Sequence, residues 1–280
     1  MITQAVVTSA AAAIAQGRAD RPGARVYSYR PHAVLQRGFL ALRTSNALVF
    51  LTGFVEPVIF LIAFGYGVGG MIGTVTVQGV EVPYAAFLAP ALLAASAMNG
   101  ALMDATFNVF FKMHFLRLYQ AMMATSLGPL DVALGEIGWA MIRGATYAVG
   151  FTVVVAIFGL ITTWWALLAI PAAVLVAFAF ASVGMALTSY MTSFQQLNWL
   201  NFWLLPLFLF SGTFFPITTY PDWLQTVIMA TPLWQAIAMM RGIMFGVFDA
   251  ALLFHVAYFL VIAVFGLYAT SRRLEALFLR

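Results

Sequence analysis

Six stretches of this chain are long and apolar enough to cross a lipid bilayer, and that pattern leaves few folds open. A helix needs about 20 mostly apolar residues to cross roughly 30 Å of hydrocarbon. The stretches run about 46–68, 84–107, 131–160, 164–190, 196–211 and 250–270, the fifth being short. All are too evenly apolar for transmembrane strands, which alternate over about 10 residues. Composition closes the other routes: only 8% of the 280 residues are charged and 64% are hydrophobic. A soluble domain carries roughly 25% charged residues. A soluble enzyme, a nucleic-acid binder and a disordered chain are excluded. The fold class is an all-α polytopic membrane protein. With no cysteine, neither a disulfide nor a thiolate site is possible.

Arginine placement sets the orientation. Arg18, Arg21, Arg25, Arg30, Arg37 and Arg43 precede the first span, and Arg272, Arg273 and Arg280 follow the last. The positive-inside rule puts both termini in the cytoplasm. Six spans satisfy that placement and seven do not. The apolar segment 223–246, broken by Pro232, is therefore expected to enter the outer leaflet and return, as part of a re-entrant helical hairpin over about 214–247. Irregular backbone at that depth needs cover from protein or water. Residues 1–30 read as a mobile cytoplasmic tail, not a signal peptide, because the arginines follow the alanine-rich stretch. Residues 31–45 read as an interfacial amphipathic helix, with Leu35, Phe39 and Leu42 on one stripe. The six-span domain covers 46–270 and a cytoplasmic tail 271–280. No internal repeat of the kind common in secondary transporters is found.

Several chemistries are missing. A P-loop needs Gly-x-x-x-x-Gly-Lys-Ser/Thr, and the only lysine, Lys112, has no glycine nearby. The three histidines, His32, His114 and His255, lie far apart, with no metal-ligand spacing. There is no Gly-x-Ser-x-Gly and no His-Glu-x-x-His, so no catalytic constellation is expected. Energy for uphill transport would come from another chain.

Two charges fall near mid-membrane. Glu56 is about 15 Å into span one and Arg143 about 18 Å into span three at 1.5 Å per residue. Each is costly there and needs a partner. Matching depth and opposite sign give the expectation of an intramembrane polar pair, Glu56 with Arg143; the alternative is that each is satisfied separately. Pro57 predicts a bend beside Glu56. Asp104 and Glu136 read as shallower structural charges. Between spans two and three, about 111–128 is helix-prone and stopped by Gly128-Pro129, with Asp131 placed to cap the next helix. Phe115, Leu118 and Met122 share a stripe, Lys112 and Tyr119 another. So much Phe, Tyr and Met suits a cytoplasmic protein contact; a helix lying on the lipid interface is the alternative.

The run Phe208-Leu209-Phe210-Ser211-Gly212-Thr213-Phe214-Phe215-Pro216, then Tyr220-Pro221-Asp222-Trp223-Leu224-Gln225 and Thr231-Pro232-Leu233, resembles type-2 ATP-binding-cassette (ABC) exporter permeases. The segments Glu56-Pro57-Val58-Ile59-Phe60 with Phe64-Gly65-Tyr66-Gly67, Met113 to Thr125 and Leu134-Gly135-Glu136-Ile137-Gly138-Trp139 are similar to the nodulation lipo-oligosaccharide and daunorubicin-type branch. The resemblance spans about residues 35–270. It implies a bacterial inner-membrane half-transporter, itself non-catalytic and without a cofactor, that dimerises with a second permease copy, as a homodimer or as one of a pair of related permeases, and docks two ABC ATPase subunits carrying ATP and Mg. The coupling helix would hold Phe115, Arg117, Leu118, Tyr119 and Met122. Phe208, Phe210 and Phe214 would line the translocation path, with Phe54 and Trp203 added on helical position. An aromatic path of low charge suits a lipid, glycolipid or hydrophobic drug. A self-contained channel or proton-coupled carrier using Glu56 is the other reading, and an adjacent gene with a P-loop would decide between them.

Overall fold

In hydrocarbon a chain satisfies its backbone as helices or as a closed barrel, and the computed structural model of this chain is helical almost throughout. It describes residues 27–44, 48–77 and 80–278. In chain order these form α1 (Pro31–Thr44), α2 (Leu48–Phe60, continued in wide turns through Leu61–Val68 and closed by Gly69–Ile72), strands β1 (Thr74–Val77) and β2 (Val80–Pro83), then α3 (Tyr84–Phe115) and α4 (Leu118–Met123). There follow α5 (Pro129–Ile157), α6 (Trp164–Tyr190), α7 (Phe194–Phe210), α8 (Asp222–Ala230), α9 (Pro232–Phe245) and α10 (Ala250–Phe278). Most of the expected tail, residues 1–26, lies outside the described residues.

Five described helices are long and apolar enough to cross a membrane: Val55–Ile72 within α2, and α3, α5, α6 and α10. The chain is a multi-pass all-α membrane protein. The expected fifth span, α7, is a single helix of 17 residues, about 25 Å long at 1.5 Å per residue. The segment expected to turn back is two helices, α8 and α9, bent by 85° at Thr231. Thr231 caps α9, its hydroxyl accepting from the Trp234 amide, and Pro232 at the first position has no N–H to lose.

α3 is the central helix. From Tyr84 to Leu102 every residue but Asn99 is buried, packed by α5, α6 and α9, with α10 against α6. Small residues let these helices approach. A Cβ on Gly144 would fall 2.7 Å from the Ala177 Cβ, and one on Gly266 would fall 2.8 Å from the Ser182 Cβ. By contrast α2 and α7 present large bare side chains: Val55, Ile59, Ile62 and Tyr66 on α2, and Trp199, Phe202, Trp203, Leu209 and Phe210 on α7.

α1 lies on α5, with Val34 against Gly135 and Gly38 against the Trp139 ring. Its buried residues are Val34 and Gly38, whereas Phe39 of the expected stripe is half exposed and meets Trp139 edge-on. The side chain of Leu42 lies outside the described residues. Asp131, fully buried, accepts the amides of Ser28, Arg30 and Gly128, so one carboxylate caps α5 and anchors the segment before α1.

The connection after α2 holds a strand pair: β1 and β2 run antiparallel, Thr74 with Pro83 through Val77 with Val80. One element differs from the sequence expectation: residues 111–128 are not one helix. α3 runs on to Phe115, Arg117 takes a left-handed turn at φ 47°, and α4 is a separate helix of 6 residues. One end of the bundle thus carries α1 and α4; the opposite end carries β1–β2 and the α8–α9 pair.

Candidate functional site

The walls of one cavity come from α2, α3, α5 and α7. It encloses about 430 Å³ and is lined by Gly53, Glu56, Asn99, Gly100, Met103, Arg143, Tyr147, Leu204, Leu205 and Phe208. Two glycines shape it. A Cβ on Gly53 would fall 1.9 Å from Tyr147 Cζ, and one on Gly100 would fall 2.5 Å from Cδ2 of the same ring. The tyrosine ring from α5 is therefore sandwiched between α2 and α3, and neither glycine can gain a side chain without displacing it. The lining divides into a polar part (Glu56, Asn99, Arg143, Tyr147) and an apolar part (Met103, Leu204, Leu205, Phe208). Such a compartment suits a molecule with both characters.

Glu56 and Arg143 do face this cavity, but they do not pair. Arg143 Nη2 meets Asp104 Oδ1 at 3.3 Å, and the expected Glu56–Arg143 ion pair does not form. Matching depth brought the two residues to one cavity, yet depth along a helix says nothing of direction around it. Asp104 lies on α3, where the turns widen through Asp104–Asn108, and Asn108 Nδ2 also donates to it. Glu56 is exposed, on the wall between this cavity and a shallower recess formed with Val55, Ile59 and Phe60. A second ionic group lies nearer the α1 end: buried Glu136 accepts from Arg37 of α1 at 3.2 Å and from Lys112 of α3. Asp104 and Glu136 therefore tie α3, α5 and α1 together.

The aromatic candidates separate. Phe208 lines the cavity and stacks edge-on with Phe214, centroids 5.3 Å apart. Phe214 is buried and also meets Phe64 at 4.9 Å and Phe60 at 6.1 Å. Phe60 and Phe64, one and two turns beyond Glu56 on α2, complete a four-ring cluster that meets the cavity wall at Phe208 and continues from it toward the β1–β2 end. Sequence reasoning missed them as site residues, although their spacing of four beyond Glu56 was readable. Phe210 meets Tyr220 and Trp203 meets Phe202, and the two are 49% and 65% exposed. Phe54 lies in α2, and its side chain is outside the described residues.

The expected coupling residues do not share one surface. Tyr119 is fully buried and Met122 nearly so, packed with Val109, Met113 and Val132. They belong to the molecule's own core and are not free to dock a partner. Leu118 is partly buried. What stands out at this end is Phe115 and Leu116, 65% and 70% exposed, with Arg117 and Phe111 beside them. Phe111 and Phe115 are in ring contact with each other and, through Phe111, with Phe194 at the start of α7. Among the described residues no three His, Asp or Glu side chains gather as a metal site.

Comparison with known proteins adds an independent line. Residues 32–245 match the family model described as ABC-2 type transporter. The chain is 35% identical over 216 residues to nodulation protein J of Rhizobium leguminosarum bv. trifolii, covering 76% of this chain and 80% of that protein. It is 32% identical over 216 residues to nodulation protein J of Rhizobium meliloti, with 76% and 80% covered. It is 30% identical over 251 residues to nodulation protein J of Bradyrhizobium diazoefficiens, with 87% and 92% covered.

Proposed function

Because the chain belongs to the ABC-2 type transporter family as a membrane subunit of an ABC exporter, we propose that it moves an amphipathic cargo, a lipid, glycolipid or hydrophobic drug, out of the cytoplasm or inner leaflet. The observation that carries this reading is the two-sided cavity. Glu56 and Asn99 accept hydrogen bonds from hydroxyl, amide or amine groups of the cargo, while Met103, Leu204, Leu205 and Phe208 contact its apolar part. Arg143, neutralised by Asp104, adds shape and a donor more than net charge.

The chain supplies no ATPase of its own in this reading. Two ABC ATPase subunits, holding ATP and Mg, dock at the α1–α4 end, which the arginine bias places in the cytoplasm of a bacterial inner-membrane protein. Phe115, Leu116 and Phe111 form the contact, with Arg117 on its rim. Glu136 passes the displacement on, because it is bonded at once to α1 and to the end of α3. The bare faces of α2 and α7 meet a second permease copy in a homodimer, so that the cavities of both copies open to a shared path. Trp203 and Phe210 belong to that interface, and Phe208 and Phe214 to the path. α8 and α9 form the re-entrant outer hairpin. The nodulation proteins similar to this chain support the exporter class; the cargo rests on the cavity chemistry alone.

The test is co-purification of the chain with the P-loop ATPase encoded nearest to it, followed by ATP hydrolysis with and without added amphiphiles. A stable complex whose hydrolysis rises with a dodecyl glycoside supports the reading. A chain that moves cargo with no ATPase bound would replace it with a carrier driven through Glu56.

A further inference from the structure

The turn joining α7 to α8 is held from two sides by side chains that come from elsewhere in the fold. Ser211, Thr213 and Phe214 are buried, and Gly212 takes φ +73°, a conformation other residues rarely adopt. Within the turn, Ser211 Oγ donates to the Phe208 carbonyl at 2.9 Å and lies 2.8 Å from Thr213 Oγ1. Two of the turn's carbonyls meet distant donors. Tyr84 Oη, from the start of α3, donates to the Phe214 carbonyl at 3.0 Å. Arg241 Nη2, from α9, donates to the Gly212 carbonyl at 2.8 Å.

Arg241 is the unusual member. Its guanidinium lies 3.9 Å from the centroid of the Phe87 ring, and among the described residues no carboxylate forms an ion pair with it. Arg241 is partly buried, and a cation withdrawn from water without an anion is costly unless its surroundings replace the water it gave up. Here a carbonyl and an aromatic face do so in part, the second by cation–π attraction, while Nε has no hydrogen-bond partner among the described residues. Both contacts bear on one object. The Gly212 bond fixes the turn, and the turn carries Phe214, whose ring closes on Phe60, Phe64 and Phe208. Phe208 in turn is part of the cavity wall.

We propose that Arg241 is a positioning residue for an aromatic lid: it ties the α8–α9 hairpin to the Ser211–Phe215 turn, so that Phe214 stays across the outer mouth of the cavity until the hairpin moves. The lid then opens and closes with the hairpin, and the Gly212 bond is what breaks when it opens. Arg241 touches no cargo; it acts through Phe214. This rests on the exporter reading, which supplies the sidedness of the cavity.

The cysteine-free chain makes the test direct. Leu204→Cys places one thiol in the cavity wall, and Gly70→Cys places a control thiol in the open connection after α2. Cells carrying the permease with its ATPase are treated from outside with an impermeant maleimide. In the parent, Gly70→Cys reacts readily and Leu204→Cys slowly. Arg241→Met speeds Leu204→Cys labelling roughly ten-fold, the shift that loss of one charge-assisted hydrogen bond permits, and leaves Gly70→Cys unchanged. Arg241→Lys is intermediate, since an ammonium can donate to Gly212 but lacks the flat face. Tyr84→Phe, which removes the second donor and keeps the ring, gives the same rise should Arg241→Met fail to fold. A merely structural arginine would lower the yield of complex without changing the labelling rate of the folded fraction. Parent-rate labelling in folded Arg241→Met and Tyr84→Phe, or fast labelling in the parent, overturns the proposal. Loss of the ATPase from every purified sample, the parent included, would instead remove the exporter reading.

Discussion

Asp131 accepts three backbone amides with one carboxylate at 0% exposure, and the Gly128 bond among them is itself buried. Each buried donor left unsatisfied costs about 1–3 kcal/mol. Asp131→Ala should therefore lower the thermal midpoint of the detergent-solubilised protein by several degrees, with Asp131→Asn in between because it keeps one acceptor oxygen. Fluorescence-detected size-exclusion after heating reads this out; an unchanged midpoint would remove Asp131 as the anchor of α1. The mid-depth charges give a second residue-scale prediction. Removing one partner of a buried ion pair costs about 3–5 kcal/mol, mostly from the orphaned charge. Asp104→Asn and Arg143→Gln should each depress folded yield, and the double variant should recover part of the loss. Glu56→Gln combined with Arg143→Gln should show nearly additive losses, since those side chains form no ion pair. The reverse pattern of coupling would contradict the geometry.

At the scale of elements, the proposed function divides labour between α4, for folding, and the end of α3, for docking. Tyr119 fills the core beneath α4, and its hydroxyl has no hydrogen-bond partner among the described residues. Tyr119→Ala should cost about 3–5 kcal/mol through the cavity it leaves, whereas Tyr119→Phe should be nearly neutral. Phe115→Ala should leave stability unchanged and weaken ATPase binding by about 2 kcal/mol if Phe115 is a hot spot. Pull-down of the ATPase together with thermal stability separates the two: reduced docking at normal stability is expected only for Phe115→Ala. The six apolar stretches were legible because a 20-residue apolar run has one solution in lipid, and the break at Pro232 because proline lacks the amide the helix needs. The alternation Thr74-Val75-Thr76-Val77 then Val80-Glu81-Val82, around Gln78-Gly79, is also a hairpin signal legible in the sequence. Tyr119 was misread because amphipathic spacing tells which residues share a face and not what covers that face. Tyr147 between Gly53 and Gly100 was not legible at all, since three helices distant in sequence must pack before the ring has walls.

For the whole molecule, the two ends differ in what they expose, and the proposed function puts them on opposite sides of the membrane. Leu277→Cys near the end of α10 should stay unlabelled by an impermeant reagent in intact cells, while Gly70→Cys after α2 and Trp223→Cys in α8 should react. Reaction at Leu277→Cys, or protection of Trp223→Cys, would reverse the orientation or make α8–α9 a span. In the proposed function, the cavity with polar and apolar walls, the aromatic cluster beyond it and the bare helices α2 and α7 beside it form half of a path whose other half is a second copy. The measurement that bears most directly on this account is transport in proteoliposomes containing the purified permease–ATPase complex and a fluorescent acyl-oligosaccharide. Movement of the probe that requires ATP, stops when the ATPase is replaced by a hydrolysis-deficient variant, and falls sharply with Gly53→Leu, which displaces Tyr147, is the predicted result. Probe movement that persists without ATP, or ATP-driven movement untouched by Gly53→Leu in a folded complex, would contradict it.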